Sequence, residues 1–294
     1  LISAIPVADL DKKTKRIVLE GDVPSPVNPP KGCPFHPRCP KAKDICKIEV
    51  PKLRKYTTNG NEHYASCHLI DLPERNWMSK FEHKNLNGVM PAMITSFNKD
   101  ESINKEGLRK IINHLIAEKV SGLYVTGSTG ETFLMSPEEK KKLIDIIVEE
   151  VNGRVPIIAH VGSIGTKITA DLADYATKAG VDGLSALPPF YYNFTNEEIF
   201  NYYSDIAQSS HLPIIIYNID RANLMDIETL KKLAAIGNIK GVKYTAATHF
   251  NFEVIKKDIG NDFKIYNGMD QMAISGLISG ADGLIGSFYN LMPE

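Results

Sequence analysis

The sequence predicts an α/β fold: a TIM (β/α)8 barrel that lacks its last helices, preceded by a small irregular segment rich in proline and cysteine. From Asn85 onward, short apolar runs alternate with amphipathic stretches, whereas ten of the 17 prolines fall in residues 1–77. Such alternation requires parallel strands with crossover connections, and eight strands in one run favour a closed barrel over an open sheet. We therefore predict two domains, 1–77 and 78–294.

The predicted elements follow one another at regular spacing from residue 88. The second helix has the clearest start, because Ser136 suits the N-cap, Pro137 the first turn, and Glu139 completes a capping box. Apolar runs predict strands at 88–97, 122–127, 156–162, 182–190, 213–219, 239–246, 263–269 and 282–289. Helical periodicity predicts helices at 104–120, 136–151, 168–180, 195–210, 226–237, 249–260 and 270–280.

The barrel region is short for its class. It has 217 residues, whereas a typical complete barrel has about 250. The sequence stops just after the eighth predicted strand, so we expect the helix that should cover this strand to be missing. No Gly-x-Gly-x-x-Gly motif follows the first strand, which gives a dinucleotide-binding sheet little support.

Composition narrows the classes of function. The formal net charge is −1, and there is no excess of basic residues, so nucleic acid is not an expected partner. No apolar run is long enough to cross a bilayer and no signal peptide is visible. We therefore expect a cytoplasmic chain without a membrane span.

A lysine inside the sixth predicted strand suggests covalent chemistry. Lys243 lies in "IKGVKYTA" (239–246), whose other residues indicate a buried strand. A lysine in an apolar site loses its proton more readily, and its free amine can attack a ketone to form a Schiff base. Taken alone, a lysine in a strand is more often an edge residue that extends its amine into solvent.

Other reactive groups follow the remaining strands. Because the C-terminal ends of barrel strands carry the chemistry, these groups should face one mouth. The glycine-rich turn "GSTGE" (127–131) offers amides and hydroxyls that suit a carboxylate, so we predict a 2-keto acid substrate. The turn alone could be an ordinary helix cap. The other groups are Tyr191, Tyr192, Tyr217, Asn218, Thr245, Asn267, Gly268, Asp270, Ser287 and Tyr289.

At these residues the chain resembles a known family, the pyruvate-dependent Schiff-base aldolases, which comprise dihydrodipicolinate synthases and N-acetylneuraminate lyases. The resemblance covers nearly all of 86–294, and its motifs occur in the family's order. They are "GSTGE" (127–131), "PPFYYNF" (188–194), "IIYNI" (215–219), "GVKYT" (241–245), "YNGMD" (266–270) and "GADGLIGSFYN" (280–290).

The resemblance implies a role for each matching residue. Lys243 would form the Schiff base and Tyr217 would relay protons, while Ser128 and Thr129 would hold the substrate carboxylate. Tyr191 would reach into a neighbouring subunit, since the family forms homotetramers. The implied reaction, part of sialic acid catabolism, cleaves N-acetylneuraminate reversibly to pyruvate and N-acetylmannosamine without a cofactor. The residues implied to contact the substrate's sugar-derived tail are Thr245, Gly268, Asp270, Gln271 and Ser287.

Several residues depart from the family's pattern. Asp220 replaces the proline of "YNIP", Phe288 stands where threonine is commoner, and Gln271 replaces an acidic residue, which puts one sugar contact in doubt. The synthase branch uses an arginine where this chain has Ala222, and Arg221 lies one position early. The lyase branch is favoured, with dihydrodipicolinate synthase or another 2-keto-3-deoxy acid aldolase as the alternative.

Residues 1–77 resemble the C-terminal tail of ATP-binding subunits of oligopeptide/dipeptide ABC transporters. The matching stretches are "LISAIPVADL" (1–10), a proline- and cysteine-rich run (17–46) and "HYASCHL" (63–69). No phosphate-binding loop is present, so this segment cannot hydrolyse ATP by itself. An interpretation from another class of function is therefore a transporter accessory segment joined to an inactive barrel, and the chain could be two neighbouring genes read as one.

The four cysteines all lie in this first segment, with the spacing C-x5-C-x6-C-x20-C. That spacing does not fit paired C-x2-C zinc motifs. Four thiolates could hold an iron–sulfur cluster, which some members of the transporter family are thought to carry. Four reduced thiols remain an equal alternative. The candidate ligands are Cys33, Cys39, Cys46 and Cys67.

Overall fold

A computed structural model of the chain describes residues 30–39, 42–51, 53–58, 61–68, 86–222 and 224–293. The chain divides into two compact units, Leu1–Asn76 and Trp77–Glu294. The predicted domain boundary at 77/78 lies outside the described residues and stays a prediction. In the described part of the chain, none of the helices combines the length and apolar character needed to cross a bilayer.

The first unit contains few regular elements in its described part. Helix α1 spans Asp44–Ile48, and strands β1 (Leu53–Thr58) and β2 (Asn61–Ser66) form an antiparallel hairpin. Gly32 packs against the carbonyl of Cys46, where a Cβ atom would lie 2.5 Å from the oxygen, and its φ of +77° also favours glycine.

The second unit is an eight-stranded parallel ring with helices between the strands. Its strands are β3 (Gly88–Pro91), β4 (Leu123–Val125), β5 (Ile157–His160), β6 (Gly183–Ala186), β7 (Ile214–Ile219), β8 (Ile239–Thr245), β9 (Lys264–Asn267) and β10 (Gly283–Gly286). Its helices are α2 (Lys105–Ala117), α3 (Pro137–Val151), α4 (Thr166–Ala179), α5 (Asn196–Gln208), α6 (Ile227–Ala234), α7 (Phe250–Ile259) and α8 (Ala273–Ile278).

Hydrogen bonds between the first and second barrel strands close the ring. The sheet order runs β3-β10-β9-β8-β7-β6-β5-β4. Ala92 then bridges Tyr124 in parallel, and the Met93 amide donates to the Tyr124 carbonyl at 2.9 Å. The predicted TIM barrel is therefore confirmed.

Two main apolar cores and a small third cluster lie in the described part of this unit. Because strand residues alternate between faces, one set packs between the sheet and the helices while the other fills the barrel interior. In β5, Ile157 and Ala159 belong to the outer core, whereas Ile158 belongs to the inner one. The outer core also receives the apolar faces of α2 to α7.

Side-chain caps and backbone turns set the element boundaries. The predicted capping box of α3 is present, with the Glu139 amide donating to Ser136 Oγ at 3.2 Å. The last predicted helix, 270–280, shortens to α8 because a 3-10 turn at Asp270–Met272 precedes it and Gly280, at φ +100°, follows it. The last predicted strand, 282–289, likewise shortens to β10, because a 3-10 turn at Phe288–Asn290 follows it.

A repeated aspartate ties strands together. In "VDG" and "ADG", Asp182 and Asp282 each donate an amide to the preceding strand and accept that strand's amide on a carboxylate oxygen, at 2.7–2.9 Å. Asp182 pairs with Ile157 in this way and Asp282 pairs with Ile265. These bonds fix the starts of β6 and β10 against their neighbours.

Candidate active site

The alternation of strand residues places Lys243 inside the barrel. Its neighbours Val242 and Tyr244 pack into the outer core, so the Lys243 side chain lies on the opposite, inner face. Lys243 and Tyr217 are each only 5% exposed. The barrel thus holds an amine within an enclosed interior.

Two aromatic rings surround this amine. The Lys243 Nζ atom lies 4.1 Å from the ring centroid of Tyr217 and 4.5 Å from that of Tyr124. Tyr217 pairs directly with Lys243 in the register of β7 and β8. The structure therefore brings together the lysine and the phenol that the sequence singled out.

The interior also holds polar residues that the sequence analysis missed. The Tyr124 hydroxyl donates to Ser185 Oγ at 3.1 Å, and the His160 ring centroid lies 5.9 Å from that of Tyr217. The signal was present in the sequence, because Tyr124 and His160 are polar residues within apolar strands. Applying the two-residue period to these strands would have placed both on the inner face of the barrel.

Electrostatics keep these groups neutral. Burial, and then the positive charges of Lys243 and Lys140, lower the pKa of the His160 imidazole to about 3. Burial raises the pKa of the Tyr124 phenol well above its usual value. Tyr124, His160 and Tyr217 form a layer of rings around Lys243, which we call the ring layer. At neutral pH, His160 and Tyr124 therefore add no charge to the surroundings of Lys243.

The glycine-rich turn after β4 reaches the end of β10. Ser128–Gly130 form a 3-10 turn, in which the Gly130 amide donates to the Gly127 carbonyl at 3.0 Å. The hydroxyls of Thr129 and Ser287 lie 2.7 Å apart. Two of the predicted substrate contacts therefore meet at this mouth, while the Ser128 side chain is exposed beside them.

The residues implied to contact the substrate tail also lie near Lys243. Gly268 lies directly against Thr245, and a Cβ atom there would stand 3.2 Å from Lys243 Cε. Asp270 Oδ2 accepts the amides of Ser287 and Phe288 at 3.0 and 3.2 Å. Thr245 Oγ1 and Asp270 Oδ1 are buried without a hydrogen-bond partner among the described residues, and they pack against the backbone at Gly268 and Gly286.

Two predicted contacts lie at the surface. Gln271 is exposed in the 3-10 turn that precedes α8. Tyr191 is 87% exposed, at φ +90°, and packs edge-on against Tyr192 with ring centroids 4.9 Å apart. Neither residue belongs to the buried layer around Lys243.

The four cysteines proposed as cluster ligands lie in the described part of the first unit and differ in burial. Cys33 and Cys39 are half-buried, Cys46 is buried, and all three are free thiols; Cys67 is half-buried. Across the described ranges, no three His, Cys, Asp or Glu side chains are grouped to hold a metal ion. The described geometry therefore offers no ready cluster site, and the iron–sulfur assignment stays a prediction.

Comparison with known proteins links this geometry to relatives. Residues 85–294 match the dihydrodipicolinate synthetase family, and residues 1–46 match the C-terminal region of oligopeptide/dipeptide transporters. The N-acetylneuraminate lyase of Citrobacter koseri is 40% identical over 215 residues, which cover 71% of each chain.

Solved structures share the fold. CdNal from Clostridium difficile, solved in complex with mannosamine, is 40% identical with a TM-score of 0.68, covering 70% of this chain and 72% of that one. A dihydrodipicolinate synthase from Bacillus anthracis is 29% identical with a TM-score of 0.69, and the match covers 70% of this chain and 72% of that one. With a family match over most of its length and relatives at this identity, the chain belongs to the dihydrodipicolinate synthetase family.

Proposed function

We propose that this chain is a Schiff-base lyase that cleaves N-acetylneuraminate to pyruvate and N-acetylmannosamine. The observation that carries the proposal is the Lys243 amine, enclosed at the barrel mouth with the Tyr217 ring 4.1 Å from Nζ. An enclosed amine beside a phenol suits imine chemistry, because one group forms the covalent bond and the other moves protons.

The reaction needs only protein groups. The amine attacks the keto carbon and water leaves, which forms a protonated imine. The bond between the third and fourth substrate carbons then breaks, and its electrons move into the imine to form an enamine. The fourth carbon's hydroxyl loses its proton and becomes the aldehyde. Protonation of the enamine and hydrolysis of the imine release pyruvate. In this scheme Tyr217 relays the protons, and no metal or organic cofactor is required.

Substrate contacts are assigned around this bond. Ser128 and Thr129 hold the carboxylate through the glycine-rich turn. The polyhydroxyl tail contacts Thr245 and Asp270, and the packing of Gly268 beside both Thr245 and Lys243 supports the assignment. The remaining tail contacts are Gly268, Gln271 and Ser287.

The lyase branch is favoured over the synthase branch. The N-acetylneuraminate lyase of Citrobacter koseri is 40% identical, against 29% for the Bacillus anthracis synthase. Ala222 is buried in a cluster with Tyr217, while the neighbouring Arg221 is exposed. No arginine therefore stands at the position where the synthase branch uses one.

Assembly and location follow the same proposal. The exposed Tyr191 and Tyr192 suit a subunit interface, since aromatic residues are enriched there. We assign the chain to a cytoplasmic homotetramer in which Tyr191 reaches a neighbouring mouth. Residues 1–77 are assigned to a peptide-transporter tail, which the match over residues 1–46 supports.

Borohydride trapping tests the proposal. Reducing the full-length protein with borohydride in the presence of pyruvate should add the mass of one reduced pyruvate adduct, which peptide mapping should locate at Lys243. Lys140 is a matched control, because it is 4% exposed against 5% for Lys243. Lys140→Met should keep the adduct and Lys243→Met should lose it.

The outcomes separate the candidate functions. Absence of an adduct in the unmodified protein would favour the transporter segment with an inactive barrel. Turnover of simpler 2-keto-3-deoxy acids above that of N-acetylneuraminate would move the assignment to another aldolase of the family. Turnover that falls after dialysis against a chelator would contradict the cofactor-free scheme.

A further inference from the structure

His160 is a buried residue that the proposed reaction scheme does not use. It ends β5 and is 1% exposed. Its ring centroid lies 5.9 Å from Tyr217, 6.1 Å from Phe133 and 6.3 Å from Tyr124. The two tyrosines are the same residues whose rings flank Lys243 Nζ. His160 therefore packs beside both of the rings that flank the amine.

Hydrogen bonds define the tautomer of this ring. The Leu187 amide donates to His160 Nε2 at 3.3 Å, so Nε2 carries the lone pair and Nδ1 carries the proton. The Thr126 hydroxyl donates to the His160 carbonyl at 2.8 Å, which holds the strand end in place. In the described part of the protein, Nδ1 is buried without a hydrogen-bond partner.

An unpartnered buried donor is costly and calls for an explanation. The ring planes of His160 and Tyr217 are nearly perpendicular, at 87°, which is a favourable edge-to-face contact. A phenylalanine would make that contact without burying a polar nitrogen. The histidine adds an acceptor for the Leu187 amide, while the ring itself makes the contact with Tyr217.

Burial, and then the charged groups around it, explain why His160 acts as a neutral ring. Lys243 on β8 and Lys140 on α3 are the cations that act on it, and Tyr124 and Tyr217 are the titratable groups in ring contact. A protonated imidazole here would add a charge to a buried site that already holds two lysine side chains. A neutral ring adds no repulsion to the protonated imine that forms on Lys243.

We propose that His160 is a positioning residue for the Schiff-base reaction: its neutral ring holds the Tyr217 phenol in register with the Lys243 amine. This inference rests on the function proposed above. His160 acts through Tyr217, so its loss should slow proton transfer more than it weakens substrate binding.

Two substitutions separate the ring from its hydrogen bond. His160→Gln keeps an acceptor near the Leu187 amide but removes the ring, and kcat should fall about 10- to 100-fold, the scale of a misplaced catalytic group, while KM changes less than about threefold. His160→Phe keeps the ring and should recover most of kcat. Both are measured on the full chain after its folded fraction has been determined by circular dichroism.

His249 provides a matched control outside the ring layer. It is also a buried histidine, with Nδ1 bonded to Ser275 Oγ at 3.0 Å, Nε2 unpartnered, and its ring stacked on Phe252 in the outer core. His249→Gln should lower stability without changing kcat. If His160→Gln does not fold, His160→Asn serves as the second ringless variant.

The possible results are distinct. The positioning role would be overturned if the unmodified protein traps pyruvate normally and the kcat of His160→Gln lies within twofold of the kcat of the unmodified protein. An equal loss of kcat in the Gln and Phe variants would also overturn it, since the ring would then not be what matters. Failure of the unmodified protein to trap pyruvate would instead remove the proposed function, and this inference with it.

Discussion

At the scale of single residues, the site depends on glycine positions where there is no room for a Cβ atom. Gly268 packs against the Thr245 side chain and beside the Lys243 methylenes. Gly286 packs against Asp270 in the same way. These glycines allow the polar side chains around the amine to lie close to the backbone of β9 and β10. Close packing of this kind fixes the reactive groups without further hydrogen bonds.

Substitution of Gly268 should therefore abolish activity. In Gly268→Ala the new methyl group overlaps Thr245 Oγ1 and stands 3.2 Å from Lys243 Cε, so the amine must move. We expect kcat/KM to fall by more than about 100-fold. Steady-state kinetics measure this, with Gly237→Ala as the control because nothing lies within 4 Å of its Cβ position. A Gly268→Ala enzyme within threefold of the unmodified one would contradict the argument.

The buried imidazole of His160 should make stability depend on pH. The unfolded chain takes up this proton near its ordinary pKa of about 6.5, whereas the folded chain does so only near a pKa of about 3. The contribution is fully present above pH 6.5 and is lost as the pH falls toward 3, by up to about 1.4 kcal/mol per pH unit.

Denaturant unfolding between pH 7 and pH 4.5 measures this slope. His160→Phe should flatten it, because the titrating group is gone. Burial also lowers the pKa of His249, so part of the slope should remain. An unchanged slope in His160→Phe would show that the imidazole is not kept neutral by the fold.

At the scale of elements, local sequence signals set where helices begin. Ser136 and Thr195 both form complete capping boxes, at the starts of α3 and α5. The capping box at Ser136 could be predicted from the sequence because its signal is local. The boundaries of α8 and β10 could not, because the turns at 270–272 and 288–290 depend on Asp270 reaching the amides of Ser287 and Phe288.

Removing a cap should cost a measurable part of the stability. Ser136→Ala leaves the Glu139 amide without its side-chain acceptor and should lower the free energy of unfolding by about 1 kcal/mol. Thr195→Ala should cost a similar amount, and the double variant should show the sum. Urea unfolding gives the three values, and a combined loss far from additive would argue against independent caps.

At the scale of the whole molecule, the barrel could be predicted from the alternation of apolar runs with amphipathic stretches along the chain. That alternation requires parallel strands. The same pattern pairs Lys243 with Tyr217 at one mouth. The missed residues, Tyr124, Ser185 and His160, contribute side chains from three further strands. Their convergence depends on ring closure, which no single stretch of sequence records.

The end of the second unit exposes many apolar side chains. They are Ile274, Leu277, Ile278, Phe288, Leu291 and Met292. An apolar surface of this kind favours association between molecules. We expect light scattering to show concentration-dependent self-association of this chain, reduced in Ile278→Lys, which lies at 82% exposure. A monodisperse monomer at high concentration would contradict this expectation.

The pairing of β7 with β8 has a consequence for how such a protein can change. Tyr217 and Lys243 are neighbours through the main-chain ladder itself, whereas the groups assigned to the substrate's carboxylate and tail come largely from connecting turns. Under the proposed function, mutations in those turns should alter which sugar acid is accepted while Tyr217 and Lys243 keep their spacing. Most determinants of substrate preference would then be inherited separately from the paired residues of the reaction.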